Sequence, residues 1–333
     1  MLSVASRSDM SSQQGRVLVT GLTGFTGDHL VAALERAGYE VYGTVRIGEP
    51  TGPTRHVAEL TDRAALLAVI DAVRPHHVIH LAAVSFVVHD DVEDIYRTNI
   101  VGTRNLLSAL AVSSVASTLG TVLLVSSANI YGNSDVASLD EDQPPRPAND
   151  YAVSKAAMEQ MAALWADRLP LTLVRPFNYT GVGQSRQFLI PKIVDAFVRR
   201  APTLELGNLD VYRDFSDVRD VVEVYVRLLP LSPRTTLNVC SEQVHTLREI
   251  IEMTSNLAAH ALNIRVNSQF VRANEVRVLR GSAARLRNLM PSWQPRPLRD
   301  TLAWMLASAP GSTFSHSIPL TVAASLARGD RSL

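Results

Sequence analysis

The sequence predicts an α/β protein, a doubly wound and mostly parallel sheet followed by a smaller α/β lobe. Three observations carry that prediction. Short apolar runs alternate with amphipathic helical stretches through the first half of the chain, which is the pattern of βαβ units. A glycine-punctuated turn joins the first run directly to the first helical stretch, the place where such sheets receive phosphate groups. Beyond about Arg175 the alternation loosens into loops and shorter helices, so a second lobe is expected.

Taken in order, residues 16–20 (RVLVT) read as a strand, and the stretch from Asp28 to Ala37 as a helix stopped by Gly38. Val41 to Val45 reads as the next strand, Ala64 to Ala72 as a helix, and His77 to Leu81 as a strand opening after Arg74-Pro75. A long helix from Ile95 to Val112, a strand from Thr121 to Ser126, a helix from Tyr151 to Arg168 and a strand from Leu171 to Val174 follow. The shorter helices are expected at Ile190 to Arg200, Leu247 to Ser255, Ala283 to Leu289 and Leu298 to Leu306. Apolar segments at Val218 to Leu228 and Thr236 to Val239 are placed to return to the first lobe. The organisation expected is a Ser- and Gln-rich leader (1–14), a Rossmann-type nucleotide-binding lobe (15–175, with returning segments about 214–240), a substrate-binding lobe (176–213 and 241–310) and a patternless tail (311–333).

Composition narrows the partners. The 333 residues are 46% hydrophobic and 19% charged, enough apolar material for a sizeable core. Lys plus Arg and Asp plus Glu are each 32, so no net basic field exists to hold nucleic acid. The longest apolar runs, Thr121 to Val125 and Ile318 to Ala327, fall far short of the roughly 20 residues that span a bilayer. No membrane partner is expected. Cys240 is the single cysteine and reads as buried core, and the chain does not open on a basic-then-apolar leader; both point to the cytoplasm. His76, His77, His80 and His89 lack metal-ligand spacing and read as core or surface histidines, so no metal is invoked.

The turn Gly21-Leu-Thr-Gly24-Phe-Thr-Gly27 sets glycines at i, i+3 and i+6. That spacing permits a tight turn, brings a pyrophosphate to the backbone and seats it on the free N–H groups of a helix N-terminus. At the end of the second strand an NAD site offers an acid to the adenosine ribose, whereas here the chain reads Tyr42-Gly-Thr-Val-Arg46. Arg46 is placed to clamp a 2′-phosphate, which favours NADP over NAD.

Tyr151-Ala-Val-Ser-Lys155 places a phenol and an ammonium one turn apart on one helix face. The expectation is that the cation lowers the phenol's pKa toward neutrality, so that Tyr151 exchanges a proton with a carbonyl or alcohol oxygen. Lys155 and Lys192 are the only lysines among the 32 basic residues. In a chain so depleted of lysine, a retained one marks a position where arginine does not serve. Ser127 closes the strand that precedes this helix and is the third catalytic candidate, bonding the reacting oxygen.

In chain order TGLTGFTG, His80-Leu-Ala-Ala83, Asn99-Ile-Val-Gly-Thr103, SSANIYG, YAVSK and Arg175-Pro-Phe-Asn178 resemble the extended short-chain dehydrogenase/reductase family, which acts mainly on nucleotide sugars. The resemblance covers roughly residues 16–308. It implies that Phe25 and Thr26 belong to the cofactor turn, that Glu59 and Leu60 lie at the adenine, and that Leu81, Ala82, Ala83 and Asn99 lie along the cofactor. It further implies Ser85 near the sugar and Asn178 near the sugar or diphosphate. The stretch from Leu206 to Asp217, together with Asn238-Val-Cys240, Arg272-Ala-Asn-Glu275-Val, the run from Arg280 to Leu286, and Trp293-Gln-Pro295, is similar to the branch of GDP-mannose dehydratases and GDP-4-keto-6-deoxy-mannose reductases. The reductases resemble it best. In that branch the positions matching Arg213 and Arg272 hold the diphosphate and that of Glu275 faces a ribose. Lys192, the second retained lysine, opens a helix in Ile190-Pro-Lys-Ile and is a candidate to meet the nucleotide's phosphate or base.

The dehydratases of that branch use a carboxylic acid two residues before the YG tyrosine, where this chain has Asn129. An amide cannot shuttle that proton, which argues against dehydration. The resemblance therefore implies NADPH-dependent reduction of a 4-keto group on a GDP-6-deoxyhexose, giving GDP-D-rhamnose or GDP-6-deoxy-D-talose. Its alternative is a nucleotide-sugar 4-epimerase holding NAD tightly; a non-catalytic cofactor sensor is disfavoured because Tyr151 and Lys155 both stand. Two departures bear on the site: Asp150 replaces the usual proline before Tyr151, where an inward carboxylate would raise the phenol's pKa, and Ala273 replaces the proline after Arg272. The family also implies a homodimer formed through the helices near 95–112 and 151–168.

Overall fold

The computed structural model describes residues 14–84, 91–134, 136–270 and 278–309. The first half runs β1 (Arg16–Thr20), α1 (Phe25–Arg36), β2 (Glu40–Val45), β3 (Arg55–Val57), α2 (Arg63–Val73), β4 (His77–His80), α3 (Val92–Tyr96), α4 (Thr103–Val112), β5 (Thr121–Val125), α5 (Asp150–Ala163) and β6 (Leu171–Pro176). The second half runs β7 (Asn178–Thr180), α6 (Leu189–Val198), β8 (Thr203–Leu206), β9 (Tyr212–Asp217), α7 (Val218–Leu231), β10 (Thr236–Val239), β11 (Val244–Thr246), α8 (Leu247–Ala258), β12 (Asn263–Val266), β13 (Val278–Leu279), α9 (Ala284–Leu289) and α10 (Leu298–Ser308).

Seven strands form one parallel sheet in the order β3-β2-β1-β4-β5-β6-β10. Alternating side chains explain why both faces are covered. Val17 and Val19 of β1, Ile79 of β4, and Leu123 and Val125 of β5 join the core beneath α1 and α7. Leu18, Val78, Val122 and Leu124 point the other way, into the core built with α2, α4 and α5. Strand order reverses between β1 and β4, and ligands bind at the carboxyl ends of the strands beside such a reversal.

The segments expected to return do so in two forms. Thr236–Val239 adds to the sheet as β10 beside β6. Val218–Leu231 is a full helix rather than a short apolar stretch, capped where the Asp217 carboxylate accepts the Arg219 N–H at 2.8 Å. The remaining elements build a third core around Ile193, Phe197, Leu204, Leu247 and Leu302, with β9 paired to β7, β11 and β13 and β8 paired to β12.

Several boundaries differ from the sequence reading. The helix at 95–112 is not one α-helix: α3 passes into a π-helical turn over Arg97–Gly102 before α4. Buried Asn99 lies in that turn and uses it, accepting from the Val84 N–H at 2.9 Å and donating to Val84 O and the Ser154 hydroxyl at 3.1 and 2.9 Å. π-bulges commonly sit at functional sites, and this one ties the loop after β4 to α5. α1 begins at Phe25, three residues before the helix read from the sequence, and α5 ends at Ala163 rather than at 168.

His80 is buried between the Thr20 and Thr103 hydroxyls, with Nδ1 and Nε2 at 2.6 and 2.8 Å. Thr103 spends its proton on Asn99 O at 2.7 Å, so Nε2 donates to Thr103 and Nδ1 accepts from Thr20. Burial pushes this imidazole down to about 3, and it stays a neutral staple between β1, β4 and α4. Cys240 is fully buried. Among the described residues no cluster of three His, Cys, Asp or Glu suits a metal, and no helix is long and apolar enough to cross a membrane. Residues 311–333 and His89 lie outside the described residues.

Candidate active site

A cleft with a volume of about 1790 Å³ runs along the carboxyl ends of the central strands and on between the two halves of the chain. A pocket for one small ligand is on the order of 300–1,000 Å³, so this cleft accommodates two large ligands end to end.

Its first wall is the turn after β1. Gly21 holds φ at +75°, and a Cβ there would lie 2.7 Å from the Ala82 backbone nitrogen. A Cβ on Gly27 would lie 2.2 Å from Leu22 O, so α1 could not pack this closely on the turn with any other residue. Gly24 differs: its Cβ would meet only Gly21 O, at 3.4 Å. It opens into the cleft and caps α1 without a side-chain hydrogen bond. The first-turn N–H groups are therefore left for a ligand, and the cradle at Gly24 fits a dinucleotide's pyrophosphate.

Phe25 and Thr26 close the turn from above. The Phe25 ring stacks on Tyr179, with centroids 6.1 Å apart, and the Thr26 hydroxyl bonds the Tyr179 phenol at 2.9 Å. Arg46, Glu59, Leu60, Leu81, Ala82 and Ala83 all line the same stretch of cleft. Arg46, read from the sequence as the clamp for a 2′-phosphate, is paired with Glu49 three residues on. Asn99 is buried beneath the wall, acting on it through Val84.

At the centre, β5 delivers Ser127 and the first two turns of α5 deliver Tyr151 and Lys155, all three lining the cleft. Asn149 caps α5 by accepting the Ala152 N–H at 2.9 Å, which fixes the rotation of the helix and so the direction of both side chains. Ser127 hydrogen-bonds the Tyr151 phenol. Lys155 is fully buried and donates from Nζ to Val125 O at 2.8 Å.

The titration of this group corrects the expectation from sequence. Burial pushes the Tyr151 phenol up to about 12, and the Ser127 hydrogen bond opposes that only in part. Lys155 directs its ammonium at a carbonyl rather than at the phenol, so desolvation outweighs the lysine's charge. Burial also brings Lys155 down to about 8, against the pull of Glu159 one turn along α5. Asp150 does not turn inward; it accepts from the Tyr96 hydroxyl at 2.7 Å on the surface.

The far wall belongs to the second half of the chain. Asn178, Lys192 and Arg213 line it. Asn178 donates to Asp214 O at 3.2 Å, and Arg213 donates to Tyr212 O at 2.9 Å. Lys192 donates to Glu205 O at 3.0 Å and lies 4.7 Å above the centre of the Phe270 ring. Ser85, Arg272 and Glu275 lie outside the described residues.

Among the cleft residues that escape the sequence reading are Glu49, Tyr179 and Phe270. Tyr179 directly follows the Arg175-Pro-Phe-Asn178 motif, so position alone could have suggested it. Nothing in the pattern around Phe270 marks it, since only folding brings it to Lys192.

The chain matches the family model described as GDP-mannose 4,6 dehydratase over residues 18–303. It is 35% identical to a GDP-6-deoxy-D-talose 4-dehydrogenase of Aggregatibacter actinomycetemcomitans, over 83% of this chain and 91% of that one. It is 36% identical to a GDP-6-deoxy-D-mannose reductase of Pseudomonas aeruginosa, over 84% and 92%. Among solved structures, a Burkholderia cenocepacia protein described provisionally as an epimerase superposes with TM-score 0.83 at 48% identity, covering 88% of this chain and 97% of that one. The RMD protein of Pseudomonas aeruginosa, solved with NADPH, superposes with TM-score 0.75 at 33% identity, covering 88% and 96%.

Proposed function

From the premise that the chain belongs to the GDP-mannose 4,6-dehydratase family, we propose that it reduces the C4 keto group of GDP-4-keto-6-deoxy-D-mannose with NADPH. It is an NAD(P)-dependent oxidoreductase with a Rossmann-type fold. The product is GDP-D-rhamnose or its C4 epimer GDP-6-deoxy-D-talose, the choice resting on which face of the sugar is presented. Relatives named for each outcome are about equally similar, at 36% and 35% identity.

The observation that carries this reading is the Ser127, Tyr151 and Lys155 cluster with Asn129 beside it. All four line the cleft, and the Asn129 N–H donates to the Ser127 hydroxyl at 3.2 Å. Ser127 and Tyr151 present two hydroxyls to one carbonyl oxygen, and Tyr151 gives that oxygen a proton as negative charge grows on it. With an amide at position 129, no carboxylic acid stands there to assist loss of water.

The turn from Gly21 to Gly27 and the Arg46 loop would hold the dinucleotide, whose nicotinamide supplies the hydride when bound. Asn178, Lys192, Arg213, Arg272 and Glu275 would hold the GDP-sugar, with Lys192 and Phe270 forming the outermost contact. Lys155 keeps a positive charge beside the reacting oxygen at neutral pH. The enzyme is read as cytoplasmic and as a homodimer. Val101 and Val112 beside and on α4, and Val153 and Leu164 on and just after α5, are exposed, which supports a seam there. Light scattering is expected to give about twice the 36.3 kDa chain mass.

The test is NADPH oxidation by the purified protein with GDP-4-keto-6-deoxy-mannose, followed by NMR of the sugar. Stoichiometric oxidation with a C4 hydroxyl in the product is expected, and its axial or equatorial setting identifies the product. No oxidation, with NAD released on denaturation, would replace this reading by the epimerase.

A further inference from the structure

The end of β2 carries no acid, yet the loop behind it does. Glu49 Oε2 accepts the Arg46 backbone N–H at 2.9 Å and the Thr23 hydroxyl at 3.2 Å, while Oε1 meets Arg46 Nε and Nη2 at 3.2 and 3.1 Å. One carboxylate thus ties the turn after β1 to the loop after β2, and both Glu49 and Arg46 line the cleft. The side chains are 22% and 78% exposed respectively, so the acid is the fixed member of the pair and the guanidinium faces solvent. The backbone hydrogen bond from Arg46 holds the Glu49 carboxyl below its usual range, with burial opposing. Glu59, the other carboxylate on this wall, is occupied by the Ile47 N–H at 3.0 Å.

We propose that Glu49 is a specificity-determining residue for the adenosine ribose, an anchored anion that restrains Arg46 and leaves the cleft with weak discrimination between a 2′-phosphate and a free 2′-hydroxyl. The inference rests on the dinucleotide reading of this cleft. A 2′-phosphate has to take the guanidinium's forked face from Glu49 and then sit against its charge. A ribose diol instead finds an ionised acceptor, the role that an acid at the strand end fills in NAD sites. Arginine and glutamate therefore pull the preference in opposite directions.

The experiment is calorimetric titration of the full chain with 2′,5′-ADP and with ADP, which reads the adenosine site without turnover. The unsubstituted protein is expected to bind the two within about tenfold of each other. Glu49→Gln keeps an acceptor for the Arg46 N–H and for Thr23 but removes the charge. It should shift the ratio toward 2′,5′-ADP by roughly tenfold, the scale of one nearby surface charge. Arg46→Ala should shift it the other way, and the double variant should fall between the two single variants, since Glu49 acts on the ribose itself as well as on Arg46. An unchanged ratio in Glu49→Gln, a shift toward ADP, or a preference above about 100-fold in the unsubstituted protein would overturn the assignment to Glu49 alone. Failure of both nucleotides to bind would overturn the dinucleotide reading with it.

Discussion

Tyr151→Phe is expected to lower reductive turnover by about 10²- to 10⁴-fold, the usual worth of a positioned general acid, without a matching loss of fold. The phenol ring packs in a buried position, and phenylalanine retains that packing while deleting the hydroxyl that Ser127 bonds. The pH profile separates this role from a structural one. With its phenol pushed up to about 12, Tyr151 stays protonated throughout the neutral range, the form that reduction requires. Lys155, brought down to about 8, loses its charge as pH rises through that value. Reductive kcat/KM should therefore hold level below about pH 8 and fall above it, with the falling limb absent from the residual activity of Lys155→Met. A Tyr151→Phe variant that kept more than about a tenth of the turnover, with an unchanged melting temperature, would remove the phenol from the proton transfer.

The high phenol pKa shows what a linear reading sees and what it misses. Spacing on a helix puts Tyr151 and Lys155 on one face, and the structure does bring them together with Ser127. The direction of a pKa shift depends on what surrounds the pair, and the burial that dominates here arises only once the chain has folded around the start of α5. The parallel alternation was legible because each central strand is apolar on both faces. β3 was not: three residues, Arg-His-Val, at the sheet edge carry little apolar signal, and a charged edge strand is what the end of a sheet favours. The π turn at Arg97–Gly102 was invisible for a different reason. One extra residue per turn barely disturbs helical periodicity, yet it sets Asn99 where it can hold Val84. Glu49 was passed over because an acid was sought at the strand end, four residues earlier, and only the fold of the loop returns its carboxylate to Arg46.

Arg175 carries the largest stability effect expected. Its guanidinium is buried and meets Glu159 through Nε and Nη2, the shortest contact at 2.6 Å. The other arm donates to the Tyr131 hydroxyl at 2.9 Å and to Glu141 O at 3.0 Å. Tyr131 ends the turn that Ser127 begins, and Glu159 lies one turn beyond Lys155, so this ion pair braces the catalytic cluster from behind. Breaking a buried pair by removing one partner costs about 3–5 kcal/mol, because the other charge stays buried without compensation. The two single variants should nevertheless behave differently with pH. In Glu159→Gln the stranded guanidinium cannot release its proton, so the loss should persist across the accessible range. In Arg175→Met the stranded group is a carboxylate, with only Lys155, one turn away, to oppose burial. Its folded-state pKa then rises above the unfolded value, the folded protein binds the extra proton, and stability falls as pH increases through that window. Urea denaturation of both variants at about pH 5 and pH 8 reads the difference: Arg175→Met should recover part of its loss at the lower pH, while Glu159→Gln should stay equally weakened relative to the unsubstituted protein at both. Equal pH dependence in the two would mean that the cost of Arg175→Met lies in its lost hydrogen bonds to Tyr131 and Glu141 rather than in an unpaired charge.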